Sequence, residues 1–282
     1  TAPARRHPRP MLPARRLLSS AATRAERPWV RRTGAVLFSG VVVGTGYLSW
    51  WQLTRYKWKL DVVAKRSEML KAVAEPLASV LPPETAPHGM PDELEFRRVV
   101  CLGTFDHSKQ VLMGPRSAPA GMEAASAAAG GGRAPAGAPH ASGWDVITPL
   151  TCSDGSSLLV NRGWVPRDQT ASLSQPSGIQ RVEGVLRKGE AGNRFATNDP
   201  ERGRFVYLDV DALAERAGTS RVVVYETNGG GGGEGGSQWP AHRPLSSFLD
   251  FYVQPSTHLV YAATWGSLCG LGSVLTYLRF LR

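Results

Sequence analysis

Twenty consecutive residues near the end of the sequence, Leu259 to Leu278, carry no charge, and this run constrains the fold more than any other feature. As a helix, at about 1.5 Å per residue, the run would cross the roughly 30 Å hydrocarbon core of a bilayer. A second uncharged run occupies residues 33–54, between two arginines and the basic cluster at 55–59. The sequence therefore predicts two membrane-spanning helices, at 33–54 and 258–278, with most of the chain between them.

The formal net charge of +10 is concentrated at the two ends of the chain. Residues 1–59 carry +11, residues 60–259 carry −3 and residues 260–282 carry +2. Terminal basic charge is typical of targeting and of membrane orientation, whereas a nucleic-acid-binding face needs basic charge on a folded surface. We therefore expect contact with membrane lipid and no nucleic-acid partner.

Residues 1–32 have the composition of an import signal. They are rich in Arg, Ala, Pro and Ser, and Glu26 is the only acid. This pattern predicts a disordered mitochondrial or plastid presequence, since the apolar core of a secretory signal is missing; a plain basic tail is the alternative. The basic tail 279–282 and the arginines before the first span favour the matrix side for both termini, while the cluster at 55–59 opposes it. The middle domain would then face the intermembrane space.

The segment between the two spans changes pattern once. Residues 55–82 have apolar positions near helical spacing, which predicts a juxtamembrane helix that ends at two prolines. Residues 95–257 then contain short runs rich in Val, Leu and aromatic residues, the signature of strands. A hairpin turn is predicted at Asp154-Gly155, and a short helix is predicted to end at Gly218. The runs are RRVVCLGTF, KQVLMGPR, WDVITPLT, SSLLVNRGWV, RVEGVLR, RFVYLDV and RVVVYE.

Two segments of the middle domain are predicted to be surface insertions, at 117–142 and 228–237. Their Ala, Gly and Pro content cannot bury enough apolar area to offset the entropy of ordering. The expected fold class is an α+β membrane protein, in which two transmembrane helices flank a compact antiparallel β-rich soluble domain with short helices.

Each span also contains a GxxxG pair, Gly40 with Gly44 and Gly266 with Gly270. Small residues at this spacing allow helices to approach closely. We expect the spans to pack on each other or on the helices of a partner.

The motifs of common enzymes are missing, since no GxSxG, HExxH or P-loop pattern occurs. Cys101, Cys152 and Cys269 lie far apart without a CxxC pair, so neither a thiolate metal site nor a disulfide framework is expected. We predict that the chain is not an enzyme. A membrane-tethered enzyme would need polar groups that converge in one pocket of the β-rich domain.

His258 stands at the start of the second span, with Tyr261 and Trp265 at i+3 and i+7 on the same helical face. Imidazole is a common ligand of metals and of haem iron, and an ionisable group at the end of a span indicates function. The alternative is an interfacial histidine bonded to the helix N-terminus or to lipid headgroups.

Arg162 is predicted at a strand end, beside Gly163 and Trp164. A guanidinium near an aromatic ring suits a carboxylate or propionate ligand. It suits an internal salt bridge or a cation–π contact equally well.

Six sequence blocks together resemble the surfeit locus protein 1 family, also called the Shy family. The resemblance covers most of residues 45–275, without the presequence and the two insertions, and Thr257 replaces an asparagine that is common in the family. The blocks are WQLTRYKWK with Trp51, Gln52 and Arg55, RRVVCLGTFD, LMGPR with Arg116, WDVITPL, LLVNRGWVP with Asn161, Arg162, Gly163 and Trp164, and HLVYAATW with His258.

The resemblance implies a non-catalytic assembly factor for cytochrome c oxidase, respiratory complex IV, in the mitochondrial inner membrane. The implied partners are the largest, haem-bearing subunit and other assembly factors. As in bacterial relatives, haem a would be bound through the histidine at the second span, here His258. Tyr261 and Trp265 would cover the porphyrin, and Trp51 and Gln52 would line the site. A homo-oligomer could supply a second histidine. The alternative is a structural chaperone for oxidase subunits that binds no haem.

Overall fold

The computed structural model of the chain describes residues 28–82, 89–119, 142–192, 196–227, 239–251 and 253–282. Most of the predicted presequence and nearly all of both predicted insertions lie outside the described residues. The chain divides into two compact units, one formed by Thr1–Gln52 with Val260–Arg282 and the other by Leu53–Leu259.

The helices are α1 (Pro28–Lys71), α2 (Leu77–Val80), α3 (Val210–Ala217) and α4 (Pro255–Thr276), and α4 continues as a π-helical turn at Tyr277–Leu281. The strands are β1 (Glu75–Pro76), β2 (Arg98–Phe105), β3 (Val111–Ser117), β4 (Ser142–Cys152), β5 (Ser157–Pro166), β6 (Gln180–Arg187) and β7 (Val223–Glu226).

Two helices are long and apolar enough to cross a membrane, Pro28–Lys71 and Pro255–Leu281. The predicted first span and the first part of the predicted juxtamembrane helix form one continuous helix, α1. No glycine or proline occurs between residues 47 and 71 to interrupt it. The helix ends at Lys71 rather than at the two prolines near residue 82.

Within the first unit, α1 and α4 pack on each other through small residues. The hydroxyl of Ser49 donates a hydrogen bond to the carbonyl of Ala262 at 2.8 Å. A methyl group on Gly266 would lie 3.2 Å from the Ser49 oxygen, so glycine is what permits this approach. The predicted GxxxG pairs therefore contribute one contact residue, because nothing lies within 4 Å of a methyl group on any of the other three, Gly40, Gly44 and Gly270.

In the second unit, β2 pairs with both β6 and β4, which closes the ring β2–β6–β7–β5–β4 into a five-stranded barrel. Strand β3 extends the sheet beyond β4, and β1 extends it beyond β2. The domain is not purely antiparallel as predicted, since β7 runs parallel to β5 and β1 runs parallel to β2. The long connection that contains α3 precedes β7, and parallel neighbours require a crossover of this kind.

Alternate residues along the strands face two different cores. One cluster takes side chains from all five strands of the ring and fills the barrel, with Leu150, Val160, Val182 and Val224 among its members. The other lies on the outer face of the sheet, where Ile147, Leu159, Val185 and Val223 pack with Leu213 of α3.

Local turn chemistry explains two of the boundaries. The β4–β5 hairpin turns at Gly155 as predicted, with φ of 82° and its N–H donated to the Cys152 carbonyl. The carboxylate of Asp209 caps the first turn of α3, and Gly218 ends that helix with φ of 72°.

The predicted strand RFVYLDV is wrong, because the segment forms only isolated bridges. The side-chain oxygen of Asn198 accepts hydrogen bonds from the N–H groups of Val206 and Tyr207. A side chain therefore takes two donors that a neighbouring strand would otherwise accept.

Candidate functional site

The predicted ligand His258 lies in the first turn of α4, where it is half-buried. Tyr261, 52% exposed, follows one turn later, and the half-buried Trp265 follows another turn on. The spacing places the three side chains on one face of this helix, as the sequence predicts. His258 belongs to the Leu53–Leu259 unit, whereas Tyr261 and Trp265 belong to the other unit.

The predicted lining residues of the first unit share one end of its helix pair. The Ser49–Ala262 hydrogen bond joins α1 to α4 at this level. Trp51 and Gln52 follow Ser49 on α1 within one turn, and Tyr261 and Trp265 flank Ala262 on α4. Arg55 lies in the other unit, where its guanidinium is 5.4 Å from the Trp58 ring.

The block NRGWVP forms the second half of β5 and holds the segment 239–243 against the barrel. Trp164 and Ala241 exchange two backbone hydrogen bonds, of 2.9 and 2.8 Å. Gly163 has φ of 131°, and a methyl group there would lie 2.3 Å from the Ala241 carbonyl oxygen. The side chain of Asn161 accepts the Gly163 N–H at 3.0 Å. Only glycine fits this close backbone approach.

The indole of Trp164 is a packing element, since the residue is 1% exposed. Its Nε1 donates to the Arg116 carbonyl at 3.2 Å, and its ring meets the Trp239 ring edge to face at 6.1 Å. The block thus ties together β3, β5 and the segment after the second insertion.

Arg162 is buried inside the barrel and makes internal contacts. It donates to the Ser174 carbonyl at 2.9 Å and lies 5.0 Å from the Phe105 ring. Burial lowers the pKa of Arg162, and the charge of Glu226 opposes that effect. The cation–π contact considered from the sequence is therefore present, and Glu226 acts on Arg162 through its charge.

Glu226 and His242 lie close to Arg162 and form a buried cluster of ionisable groups with it. No sequence pattern predicts this cluster, because its three members come from distant segments. The His242 Nδ1 atom is 3.7 Å from the Glu226 carboxylate. Burial raises the pKa of Glu226 to about 7, with Arg162 opposing. Burial and the charge of Arg162 lower the pKa of His242. The group can exchange a proton near neutral pH.

A second polar centre lies on the outer face of the barrel, around Asp145. This residue is 2% exposed, and its carboxylate lies 3.7 Å from Arg243 Nη2 and 3.9 Å from Arg116 Nε. Burial raises the pKa of Asp145, and the two guanidiniums oppose that effect. Arg116 also pairs with Glu190 at 2.5 Å. Of these residues, only Arg116 is a candidate from the sequence.

Asp145 opens onto a cavity of about 540 Å³, which we call the arginine pocket. Arg66 and Arg187 line it together with Arg116 and Arg243, and its lining contains neither cysteine nor histidine. Arg66 stacks 3.8 Å from the Phe96 ring. The carboxylates of Asp145, Glu190 and Asp250 line the same pocket. The four guanidinium groups therefore leave a small excess of positive charge, and their hydrogen-bond donors suit the recognition of an acidic group.

Among the described residues, no group of three or more His, Cys, Asp and Glu side chains is placed to hold a metal ion.

Comparison with known proteins gives consistent matches over most of the chain. A sequence model of the SURF1 family matches residues 40–270. Surfeit locus protein 1 of Rattus norvegicus is 32% identical over 244 residues, which cover 83% of this chain and 72% of that protein. The Homo sapiens protein of the same name is 32% identical, with coverage of 83% and 73%. The SURF1-like protein of Caenorhabditis elegans is 31% identical, with coverage of 84% and 70%.

Proposed function

The chain belongs to the SURF1 family, and from this premise we propose that it is a non-enzymatic assembly factor for cytochrome c oxidase in the mitochondrial inner membrane. The observation that carries the proposal is the extent of the family match, which reaches into both long apolar helices and includes the β-rich unit between them. Its partners would be the largest oxidase subunit and other assembly factors.

We propose that α1 and α4 cross the membrane with their outer ends in the matrix and the β-rich unit in the intermembrane space. Arg31 supports a common side for both ends, since it donates to the carbonyls of Phe280 at 3.1 Å and Arg282 at 3.3 Å. The basic flanks of the two helices therefore meet at one end of the pair, and positive charge favours the side from which helices insert.

His258 is the residue we propose as the axial ligand of haem a. Its imidazole is half-buried in the first turn of α4, and Tyr261 and Trp265 present aromatic surface on the same helical face. This donor set fits haem, since a neutral imidazole nitrogen is a common axial ligand. When bound, haem a would supply the redox-active iron that the oxidase requires.

We propose that the residues of this chain bind haem a temporarily. One ring nitrogen of His258 would donate its lone pair to the iron. The other ring nitrogen would keep its hydrogen and donate a hydrogen bond, and that bond would fix the tautomer of the imidazole. Tyr261 and Trp265 would exclude water from the bound face. A single imidazole from one chain holds less firmly than two, and this suits a donor that must release its cargo.

The test uses the full chain in a membrane host that makes haem a. We would compare absorption spectra of the wild type, His258→Ala and the matched control Thr264→Ala, whose exposed hydroxyl bonds only to the Val260 carbonyl of its own helix. Rescue of oxidase assembly in cells without their own family member is scored in parallel. We expect a haem a band in the wild type and control, and its loss in His258→Ala.

Two outcomes contradict separate parts of the proposal. Absence of the band in all three proteins, with rescue by all three, would remove haem binding and leave the assembly role. Failure of the wild type to rescue, when it is present in the membrane, would remove the assembly role itself.

A structural chaperone without haem is the second candidate, and the arginine pocket favours it. This pocket can receive acidic side chains of a partner protein. Under this candidate, the β-rich unit would dock on an oxidase subunit and His258 would be interfacial. Rescue of oxidase assembly by His258→Ala would favour it.

A further inference from the structure

Two of the three cysteines, distant in sequence, meet on neighbouring strands of the barrel. Strands β2 and β4 pair with Gly103 opposite Cys152, and Cys101 lies two residues before Gly103 on the same face of β2. Both cysteines are free thiols and both belong to the cluster that fills the barrel. The sequence offered no CxxC signal for this pair, because the closure of the barrel creates it.

The two thiols line one cavity of about 430 Å³, which we call the thiol cavity. Its walls are mainly apolar and include Leu77 and Leu81 from the α2 region and Leu158 of β5. Polar groups near the thiols include Asp154, Ser156 and Arg181. The cavity gives a small molecule or a partner side chain space beside the sulfur atoms.

The two thiols are chemically unequal. The Cys152 thiol beside it and burial raise the pKa of Cys101, whose Sγ–H donates to the Val182 carbonyl at 3.9 Å. The neighbouring Cys101 thiol and Ser156 hydroxyl lower the pKa of Cys152 to about 7, although burial and the charge of Asp154 oppose this. Cys152 is therefore the thiol that ionises, with Cys101 as its protonated neighbour. A thiolate beside a second thiol is the arrangement of disulfide-exchange sites.

We propose that Cys101 and Cys152 form a redox-active dithiol that exchanges with the disulfide of a small molecule or a partner protein. The Cys152 thiolate attacks one sulfur of the substrate disulfide, breaking its S–S bond and forming a mixed disulfide. Cys101 then loses its proton and attacks the Cys152 sulfur, releasing the second substrate sulfur. Two electrons pass to the substrate, which leaves as two thiols with the two protons from the cysteines.

A disulfide at this position would be exchangeable rather than a permanent staple. Diagonal neighbours on antiparallel strands have Cα atoms about 7–8 Å apart, which exceeds the roughly 4.4–6.8 Å that disulfides prefer. Oxidation therefore requires β2 and β4 to shift towards each other next to the thiol cavity. Strained disulfides are the more easily reduced ones, so this dithiol passes its electrons on only where the substrate disulfide is in excess over its thiol.

The experiment uses the full chain with Cys269→Ser, so that the pair contains the only cysteines. The reduced protein in detergent is equilibrated with graded mixtures of glutathione and glutathione disulfide. A maleimide then alkylates the remaining thiols, and mass spectrometry measures the mass of the intact protein. We expect a reversible loss of two hydrogen atoms in oxidising mixtures. Cys101→Ser should instead retain a glutathione adduct on Cys152, and Cys152→Ser should form neither product.

A second readout separates exchange from packing. Alkylation of Cys152 in the reduced protein should rise with pH around a midpoint of about 7. The single variants Cys101→Ser and Cys152→Ser should keep the cooperative unfolding transition of their parent, at a lower midpoint because both thiols are buried, which shows that lost exchange is not misfolding. The proposal is overturned if no mixture produces the disulfide, or if both single variants form adducts equally. Exchange is measured on the isolated chain, so its failure leaves the assembly function untouched.

Discussion

Gly46 of α1 faces the thiol of Cys269 on α4 so closely that a methyl group on Gly46 would lie 3.3 Å from the sulfur atom. This distance is close to what a disulfide requires between the β-carbon of one cysteine and the sulfur of the other. The contact lies within the helix pair that we propose crosses the membrane.

The first prediction is that Gly46→Cys forms a disulfide with the native Cys269. Mild oxidation in membranes, followed by mass spectrometry of the linked peptides, measures the yield. Gly40→Cys is the matched control, because nothing lies within 4 Å of a methyl group there. Equal yields from both variants would contradict the observed helix pairing.

The second prediction concerns the close approach at Gly163. Gly163→Ala should destabilise the β-rich unit by more than about 3 kcal/mol, because the left-handed backbone and the contact with the Ala241 carbonyl both oppose a side chain. Gly178→Ala is the control, since Gly178 has φ of 75° but open space around it, and it should cost only about 1 kcal/mol. Denaturant unfolding followed by tryptophan fluorescence measures both. A similar loss in the two variants would mean that the Ala241 contact is unimportant.

The third prediction concerns the buried carboxylate of the arginine pocket. Asp145→Asn removes the counter-charge that Arg116 and Arg243 share, while Arg116 keeps its pair with Glu190, and should cost about 1–3 kcal/mol of unfolding free energy. Asp211→Asn breaks an exposed pair with Arg221 and should cost about 0–1 kcal/mol. Thermal or denaturant unfolding at constant pH compares the two. If the losses are alike, the arginines are held by other contacts.

The fourth prediction concerns pH and Glu226, whose pKa is raised from 4.5 to about 7. Between these values the unfolded chain has released the proton and the folded chain keeps it, so the unfolding free energy falls as pH rises. In the Glu226→Gln variant the side chain cannot ionise, so the unfolding free energy does not fall with pH for this reason. Its stability relative to the wild type should rise by up to about 3 kcal/mol between pH 4.5 and 7.

His242→Asn provides the opposite comparison for the same group. Because the pKa of His242 is lowered from 6.5, the unfolded chain binds a proton more readily, and the wild type loses stability as pH falls below about 6.5. The asparagine variant should lose less in that acidic range. Parallel pH profiles for both variants and the wild type would show that neither group titrates as inferred.

The sequence predicts the elements that depend on local chemistry. The hairpin at Gly155 and the end of α3 at Gly218 follow from glycines that adopt positive φ. Strands β2 to β6 follow from runs of β-branched and aromatic residues. The strand predicted at RFVYLDV fails because Asn198, outside the run, accepts its N–H groups.

Features that depend on strand pairing could not be predicted. The parallel placement of β7 beside β5 depends on a crossover whose path no residue pattern specifies. The cluster of Arg162, Glu226 and His242 and the contact of Cys101 with Cys152 both arise from that closed ring. His258 could be singled out as a candidate from the sequence because its position at the start of an apolar run is local, and its role as a ligand stays a prediction.

The closed ring of strands also limits how the β-rich units of two molecules can pair through their sheet edges. Among the described residues, only β1 and β3 are left as sheet edges, and an unpaired edge is where strands of different molecules add and aggregate. Strand β1 has two residues and includes Pro76, while β3 contains Pro115 and a register shift between Met113 and Arg116. The Gly114 N–H of β3 is already donated to the Phe205 carbonyl. Such edges are poor templates for strand addition, so two copies of the unit are not expected to join through a shared sheet.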